Sequence, residues 1–448
     1  MYEGIPFATP PVGTLRWQPP QPLQPWRGVR DARAQPPACI QNVVPERLPW
    51  TKEYLHTGAV SEDCLYLDVW TPAQAARERL PVFVYLYGGG FNEGSVAVPL
   101  YDGAQLARKG MIVVTLNYRV GVLGFLAHPE LTRESPHHAS GNYGLLDQVA
   151  GLAWVRDNIA AFGGDPRRVT VAGQSAGAIS AYLLTASPLA KNLFAAAILQ
   201  SGPGALAAFG ITPSTMAQPR AEAERAGSDF AAKVGATSLA ELRRVDAARL
   251  LAATSATFGP TVDGWLLPAA PNEIYARGEQ NDVPLLTGMM ADESSAFPGY
   301  DAARAAQGRH AGLEAIESLL AARAKTGRTP AYVYYFQHAI PWPEHPGYAA
   351  FHSGELPYTF DNLALMNRPW AAADRTLAAT TSAYWASFVV RGDPNGPGLP
   401  RWPAFDPAAP KMMVFGESPA ARSMRDLPVP TAVSSSDSVG GSTRRVRQ

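Results

Sequence analysis

Gly173-Gln174-Ser175-Ala176-Gly177 sets a serine between two glycines, after the strand pattern Val169-Thr170-Val171-Ala172-Gly173 and before a helical pattern over Ala176 to Ala186. In that order of strand, turn and helix, small flanking residues permit a sharp turn that lifts a serine oxygen above a sheet. A bare Gly-x-Ser-x-Gly string is otherwise a flexible turn, so the context carries the choice of Ser175 as nucleophile. A serine hydroxyl reacts poorly at neutral pH; it needs a base within hydrogen-bond reach and a third group that holds the base's tautomer. The helix starting at Ala176 points free amides toward negative charge near the serine, as a developing oxyanion requires. The chemistry implied is acyl transfer.

Eight histidines compete for the role of base, and most belong in solvated loops or satisfied core positions. His352 follows the apolar strand pattern Ala331 to Phe336 and lies C-terminal to an acidic candidate, which gives the order nucleophile, acid, histidine. That candidate is Glu293, which follows the apolar run Val283 to Gly288 at the carboxyl end of a strand, where such sheets assemble sites. On position alone an exposed acidic turn explains Asp292-Glu293 equally well. Gly88-Gly89-Gly90-Phe91 follows another strand pattern, and backbone amides free of side chains can approach a substrate oxygen there. Gly89 and Gly90, with Ala176, therefore make a three-donor oxyanion hole; the competing reading is a flexible loop or a phosphate cradle. Neither a lysine-bearing phosphate loop nor a dinucleotide fingerprint follows a strand, which disfavours nucleotide binding.

The elements that must hold these residues alternate. Leu65 to Trp70, Pro81 to Tyr87, Met111 to Leu116 and Phe194 to Leu199 read as strands, and Leu145 to Ala160 as a helix, the pattern of α/β architecture. An Ala-rich helical stretch from Ala217 to Ala253 covers the sheet, and the Pro/Gly-rich segment Gly4 to Pro37 reads as an extended surface loop. Residues 1–426 are expected to form the catalytic domain, and the Ser/Gly-rich tail 427–448 to be disordered. With 46% hydrophobic and 17% charged residues among 448, the chain can bury a large core. Thirty-eight basic residues balance 38 acidic ones, which speaks against nucleic acid and other polyanionic partners. Neither an eighteen-residue apolar run nor a charged and apolar secretion signal is seen. A bridge between the two cysteines, Cys39 and Cys64, would close 25 residue steps. Such a bridge is worth roughly 3–4 kcal/mol and implies an oxidising compartment; spacing leaves two unpaired buried thiols equally open.

From residue 4 to about 426 the sequence resembles the carboxylesterase and cholinesterase family, the type-B carboxylesterases. The resemblance is carried by Gly4-Ile5-Pro6-Phe7 through Arg16-Trp17, Ser61-Glu62-Asp63-Cys64-Leu65-Tyr66-Leu67, Asn117-Tyr118-Arg119, Gly141-Asn142-Tyr143-Gly144-Leu145, and Phe162-Gly163-Gly164-Asp165-Pro166. Later segments are Gln200-Ser201-Gly202, Val262-Asp263-Gly264, Asp292-Glu293-Ser294, His352 with Glu355-Leu356, and Gly392-Asp393-Pro394-Asn395. It implies an α/β-hydrolase fold, a central, mostly parallel twisted sheet flanked by helices, with Ser175 as nucleophile, Glu293 as acid and His352 as base. It also implies Gly89, Gly90 and Ala176 as oxyanion donors, a Cys39–Cys64 disulfide near the substrate gorge, and structural ion pairs Arg16–Glu62 and Arg119–Asp165. The chain departs from the family in lacking the strands before Gly-Ile-Pro, in a shorter segment between Glu293 and His352, and in its tail. Gln174 stands where cholinesterases carry glutamate, and no aromatic choline site aligns, so a cholinesterase is disfavoured; Ser294 replaces the usual glycine after the acid, a small change that adjusts the loop.

The expected activity is serine carboxylesterase, hydrolysing small-molecule esters through an acyl-enzyme on Ser175 without cofactor or metal. The runner-up is a non-catalytic binding or adhesion protein on the same scaffold, whose known forms lose the nucleophile. A monomer is expected. A disulfide would favour a secreted or periplasmic location if an upstream signal has been lost, with the cytoplasm left open. Phe91 and Trp265 are candidates for lining the gorge or for core packing.

Overall fold

Runs of β-branched and aromatic residues that are buried on both faces of a sheet leave no alternation of polar and apolar positions, and they build the interior of this protein. The computed structural model describes residues 1–426 except 210, 211, 213, 214, 256 and 257; the tail expected to be disordered, 427–448, lies outside the described residues. Ten strands form one sheet: β1 (Tyr2–Pro6), β2 (Tyr66–Trp70), β3 (Leu80–Leu86), β4 (Ile112–Leu116), β5 (Gly164–Gln174), β6 (Ala196–Gln200), β7 (Leu285–Met290), β8 (Ala331–Phe336), β9 (Lys411–Phe415) and β10 (Ala420–Ser423). Their spatial order is β1-β2-β4-β3-β5-β6-β7-β8-β9-β10. From β4 to β9 every pairing is parallel. The edges are antiparallel: β1 on β2, β2 on β4, and β10 on β9.

This order decides where a site can form. The chain runs from β3 to β4 on one side, then returns to place β5 on the other side of β3. The loops after β3 and β5 therefore diverge at the carboxyl end of neighbouring strands, the place where open α/β sheets bind ligands. Helices α1 (Tyr143–Asn158) and α2 (Ala176–Ala186) fill the crossovers around β5. Every residue of α2 is buried, as its apolar composition on all sides demands, and it packs on β5 and β6.

Two expectations need correction. Gly4 to Pro6, the start of the stretch expected as loop, belongs to the edge strand Tyr2–Pro6; its ladder is irregular between Tyr2 and Ile5, and Gly4 N–H donates instead to the buried Asp68 Oδ1 at 2.8 Å. A five-residue strand with a glycine and a proline has no readable period, so only its partner β2 reveals it. The stretch from 217 to 253 is three helices, α3 (Arg220–Lys233), α4 (Leu239–Arg244) and α5 (Ala247–Ala253). Gly235 at φ +77° follows the first, and Ser238 and Asp246 side chains accept amide hydrogens at the starts of the next two. Two further helices lie on the sheet, α6 (Ala302–Thr326) against β7 and α7 (Ala372–Arg391) against β3 and β5.

Candidate active site

Ser175 sits between the end of β5 and the start of α2 at φ 57°, ψ −124°, a conformation that L-residues avoid at a cost of about 1–3 kcal/mol. The strain is held on both sides: Ser175 N–H donates to Gln200 O, and Ser175 O accepts from Ile179 N–H, each at 2.9 Å. The turn is possible because Gly177 lets the helix approach β3; a Cβ there would stand 2.0 Å from Leu86 O. Ser175 is half-buried, whereas its neighbours Gln174 and Ala176 are buried.

Glu293 and His352, 59 residues apart, are brought together by backbone. Asp292 and Phe351, the residues before each, form an isolated parallel bridge, and Asp292 N–H donates to Ala350 O at 3.0 Å. Arg309 of α6 meets Asp292 Oδ1 at 3.3 Å, and Ser295 Oγ donates to Tyr348 O at 2.6 Å, which closes the two loops on each other. His352 Nδ1 is hydrogen-bonded to Glu293 Oε2, while Glu293 Oε1 accepts from Met290 N–H at 2.8 Å. Both residues are 3% exposed. Burial pushes the imidazole pKa down, but the charge and hydrogen bond of Glu293, with the charge of Glu355, outweigh it and hold the value above the usual 6.5. The other ring nitrogen, Nε2, lies 3.2 Å from the side-chain amide nitrogen of Gln174, the residue before Ser175. The serine turn and the imidazole thus share one end of the sheet.

The loop after β3 lies against the same turn. Gly89 takes φ +111° and Gly90 φ +62°; a Cβ on Gly89 would stand 2.2 Å from Glu93 O, so only glycine fits. A Cβ on Gly88 would stand 3.1 Å from Ser175 Cβ, which brings this loop beside the serine. Ala176 is the first residue of α2, so its N–H has no acceptor within the helix. The loop is braced by Gln41, whose side chain donates to Gly94 O at 2.8 Å and accepts from Gly94 N–H at 2.7 Å. Gln41 is two residues from the disulfide Cys39–Cys64, so the bridge expected from the resemblance is present and anchors the loop.

Of the ion pairs expected, Arg16 binds Glu62 through two hydrogen bonds at 2.6 and 2.7 Å. Arg119 does not meet Asp165: it pairs with the fully buried Asp147 of α1, at 2.7 and 2.8 Å. Arg119 follows the carboxyl end of β4, whereas Asp165 opens β5, which runs the same way, so a strand length separates them. Asp165 instead faces Arg167 and Arg79. Phe91 is 6% exposed and packs edge-on against Phe125, and Trp265 stacks on His137 at 3.8 Å. The aromatic face beside the imidazole is Phe297, 5.8 Å from the His352 ring and 37% exposed, backed by Trp50 at 5.4 Å. Trp50 Nε1 donates to Ser353 Oγ at 3.3 Å. Sequence reasoning missed these residues because Trp50, Phe297 and His352 meet only across three loops. Among the described residues no group of three or more His, Cys, Asp or Glu side chains is arranged to hold a metal ion.

Comparison with known proteins gives this geometry a family. A model of the carboxylesterase family matches residues 1–319 and 311–429. The chain is 40% identical over 464 residues to fumonisin B1 esterase of Sphingopyxis macrogoltabida, covering 93% of this chain and 83% of that protein. It is 34% identical over 471 residues to human cocaine esterase, covering 90% and 81%. Among solved structures, a PNB esterase superposes with a TM-score of 0.83 at 30% identity, over 95% of this chain and 93% of that one. A Geobacillus stearothermophilus carboxylesterase superposes with a TM-score of 0.79 at 31% identity, over 94% and 93%. The chain belongs to the carboxylesterase family and is a carboxylic ester hydrolase of the α/β-hydrolase fold.

Proposed function

We propose that this esterase works through an acyl-enzyme on Ser175, with His352 as general base, Glu293 as the carboxylate that orients it, and Gly89, Gly90 and Ala176 as oxyanion donors. The observation that carries the reading is the buried His352 Nδ1–Glu293 hydrogen bond at the end of the sheet where Ser175 is held in its strained turn. With Nδ1–H committed to Glu293, Nε2 keeps its lone pair for a proton. Ser175 Oγ attacks the ester carbonyl carbon as its proton passes to Nε2, and the carbonyl oxygen becomes an oxyanion facing the amides of the loop after β3 and of α2. Collapse expels the alcohol, which takes the proton from Nε2. Water then repeats the cycle on the acyl-enzyme, freeing the acid and Ser175.

The substrate proposed is a small ester that lays an apolar acyl or alcohol group on the Phe297–Trp50 face. The breadth of esters in the names of the relatives, fumonisin and cocaine among them, supports a site set by such loops. We take the enzyme to act as a monomer, without nucleic-acid partners in keeping with its zero net charge, and in an oxidising compartment in keeping with its disulfide. A binding protein on this scaffold is disfavoured, since such a protein has no use for a strained serine beside a buried imidazole and carboxylate.

Ser175→Ala tests the reading: hydrolysis of p-nitrophenyl esters is expected to fall by about 10⁴-fold or more, with the melting temperature preserved. Turnover retained in that variant removes Ser175 from its role.

A further inference from the structure

The two nitrogens of His352 have different partners. Nδ1 is bound to Glu293, so the neutral ring carries its hydrogen there and Nε2 offers a lone pair. Gln174 Nε2 lies 3.2 Å from that lone pair, and an amide N–H can only donate. Gln174 is 2% exposed and ends β5, so its backbone is fixed by the ladder to Gln200. Its Oε1 faces the opposite way: a Cβ built on Gly88 would stand 3.0 Å from it. One carboxamide therefore bridges the loop after β3 and the base, and the nitrogen that must take the serine proton already has a donor.

We propose that Gln174 is a positioning residue for proton transfer: its carboxamide occupies the Nε2 lone pair in the resting enzyme, favours the neutral imidazole, and yields that lone pair to the Ser175 hydroxyl when an ester is bound. The inference rests on the reading of Ser175 and His352 as nucleophile and base. As Ser175 Oγ bonds to the carbonyl carbon, its O–H bond breaks and the proton passes to Nε2. Nε2–H and the Gln174 N–H are then both donors and cannot remain paired. A carboxylate offers only acceptors, and a thioether no donor. The charged groups facing His352 are Glu293 at Nδ1 and Glu355, and both stay in place in the variants below.

The test compares the full-length chain with Gln174→Glu, Gln174→Met and Ser175→Ala. Three quantities are read: kcat/KM for p-nitrophenyl acetate from pH 5 to 9, the rate of labelling by a fluorophosphonate over the same range, and the melting temperature. In Gln174→Glu an acceptor replaces the donor, and the acid limb is expected to move up by about one pH unit or more, a loss of ~10-fold at pH 6.5 relative to the alkaline plateau. Gln174→Met removes the donor without adding charge, and its limb is expected to move the same way by less. Labelling should follow both shifts. Acid limbs that superimpose on the parent's, or a uniform loss at every pH, leave Gln174 a packing role and overturn the proposal. If Gln174→Glu does not fold, the Met variant decides. Failure of the underlying reading is distinct: Ser175→Ala would then still turn over and still be labelled.

Discussion

The roles proposed for a serine, an imidazole and a carboxylate rest on what surrounds each of them. Ser175 is set at a strained φ by Gly177 and by hydrogen bonds to β6 and α2; His352 is set by Glu293; Glu293 is set by the Met290 amide. Because Glu293 and Glu355 hold the imidazole pKa above 6.5, His352 in its proposed role as base is unprotonated only above its raised value. The acid limb of kcat/KM is therefore expected to be centred above pH 6.5, measured as a rate profile with an uncharged ester; a midpoint below 6.5 contradicts it. In Glu293→Gln the orienting charge is gone and the tautomer is no longer enforced, so kcat is expected to fall by about 10³–10⁴-fold with KM changed little. At this scale the sequence was readable for the strand–turn–helix setting of Ser175, whose signature is local. It left Glu293 balanced against an exposed acidic turn, because the Asp292–Phe351 bridge that seats it joins residues 59 positions apart.

Strands and helices bring those residues to one place by being buried on the right faces. The helix at Ala176–Ala186 and the strand at Ala331–Phe336 stand where their periodicity predicts, since long apolar runs have few alternatives. The edge strand β1 and the breaks at Gly235 and Ser238 were not legible, because a short strand needs its neighbour and a cap needs its geometry. The joint between β4 and α1 carries a prediction. Arg119 donates from Nε, Nη2 and its backbone N–H to Asp147, which is fully buried. Arg119→Met leaves that carboxylate without a countercharge and is expected to cost about 3–5 kcal/mol, read as a lower urea midpoint. Adding Asp147→Leu should recover much of the loss; a double variant as unstable as the single one would show that the pair itself, not the stranded charge, is what matters.

Across the whole molecule, burial sets a pH dependence of stability. Desolvation raises Asp68 from 3.8 and Glu355 from 4.5 to about 7. Asp68 Oδ2 and Glu355 Oε2 have no hydrogen-bond partner among the described residues. Between those ordinary values and about 7 the folded chain holds protons that the unfolded chain has released, so stability falls as pH rises through that window. His352, raised above 6.5, acts in the same direction at higher pH. The melting temperature is expected to decline from pH 5 to 8, and the double variant Asp68→Asn with Glu355→Gln to decline less; equal slopes would disprove the assignment. Sequence by itself determined the alternating α/β order, the sharp turn at Ser175 and the zero net charge, because these depend on neighbouring residues and on counts. Only the tertiary structure decided which acid meets His352, that Arg119 pairs with Asp147, and that Gln174 reaches the His352 ring. Those outcomes turn on strand direction and on loops meeting at one end of the sheet, distances that no local pattern encodes.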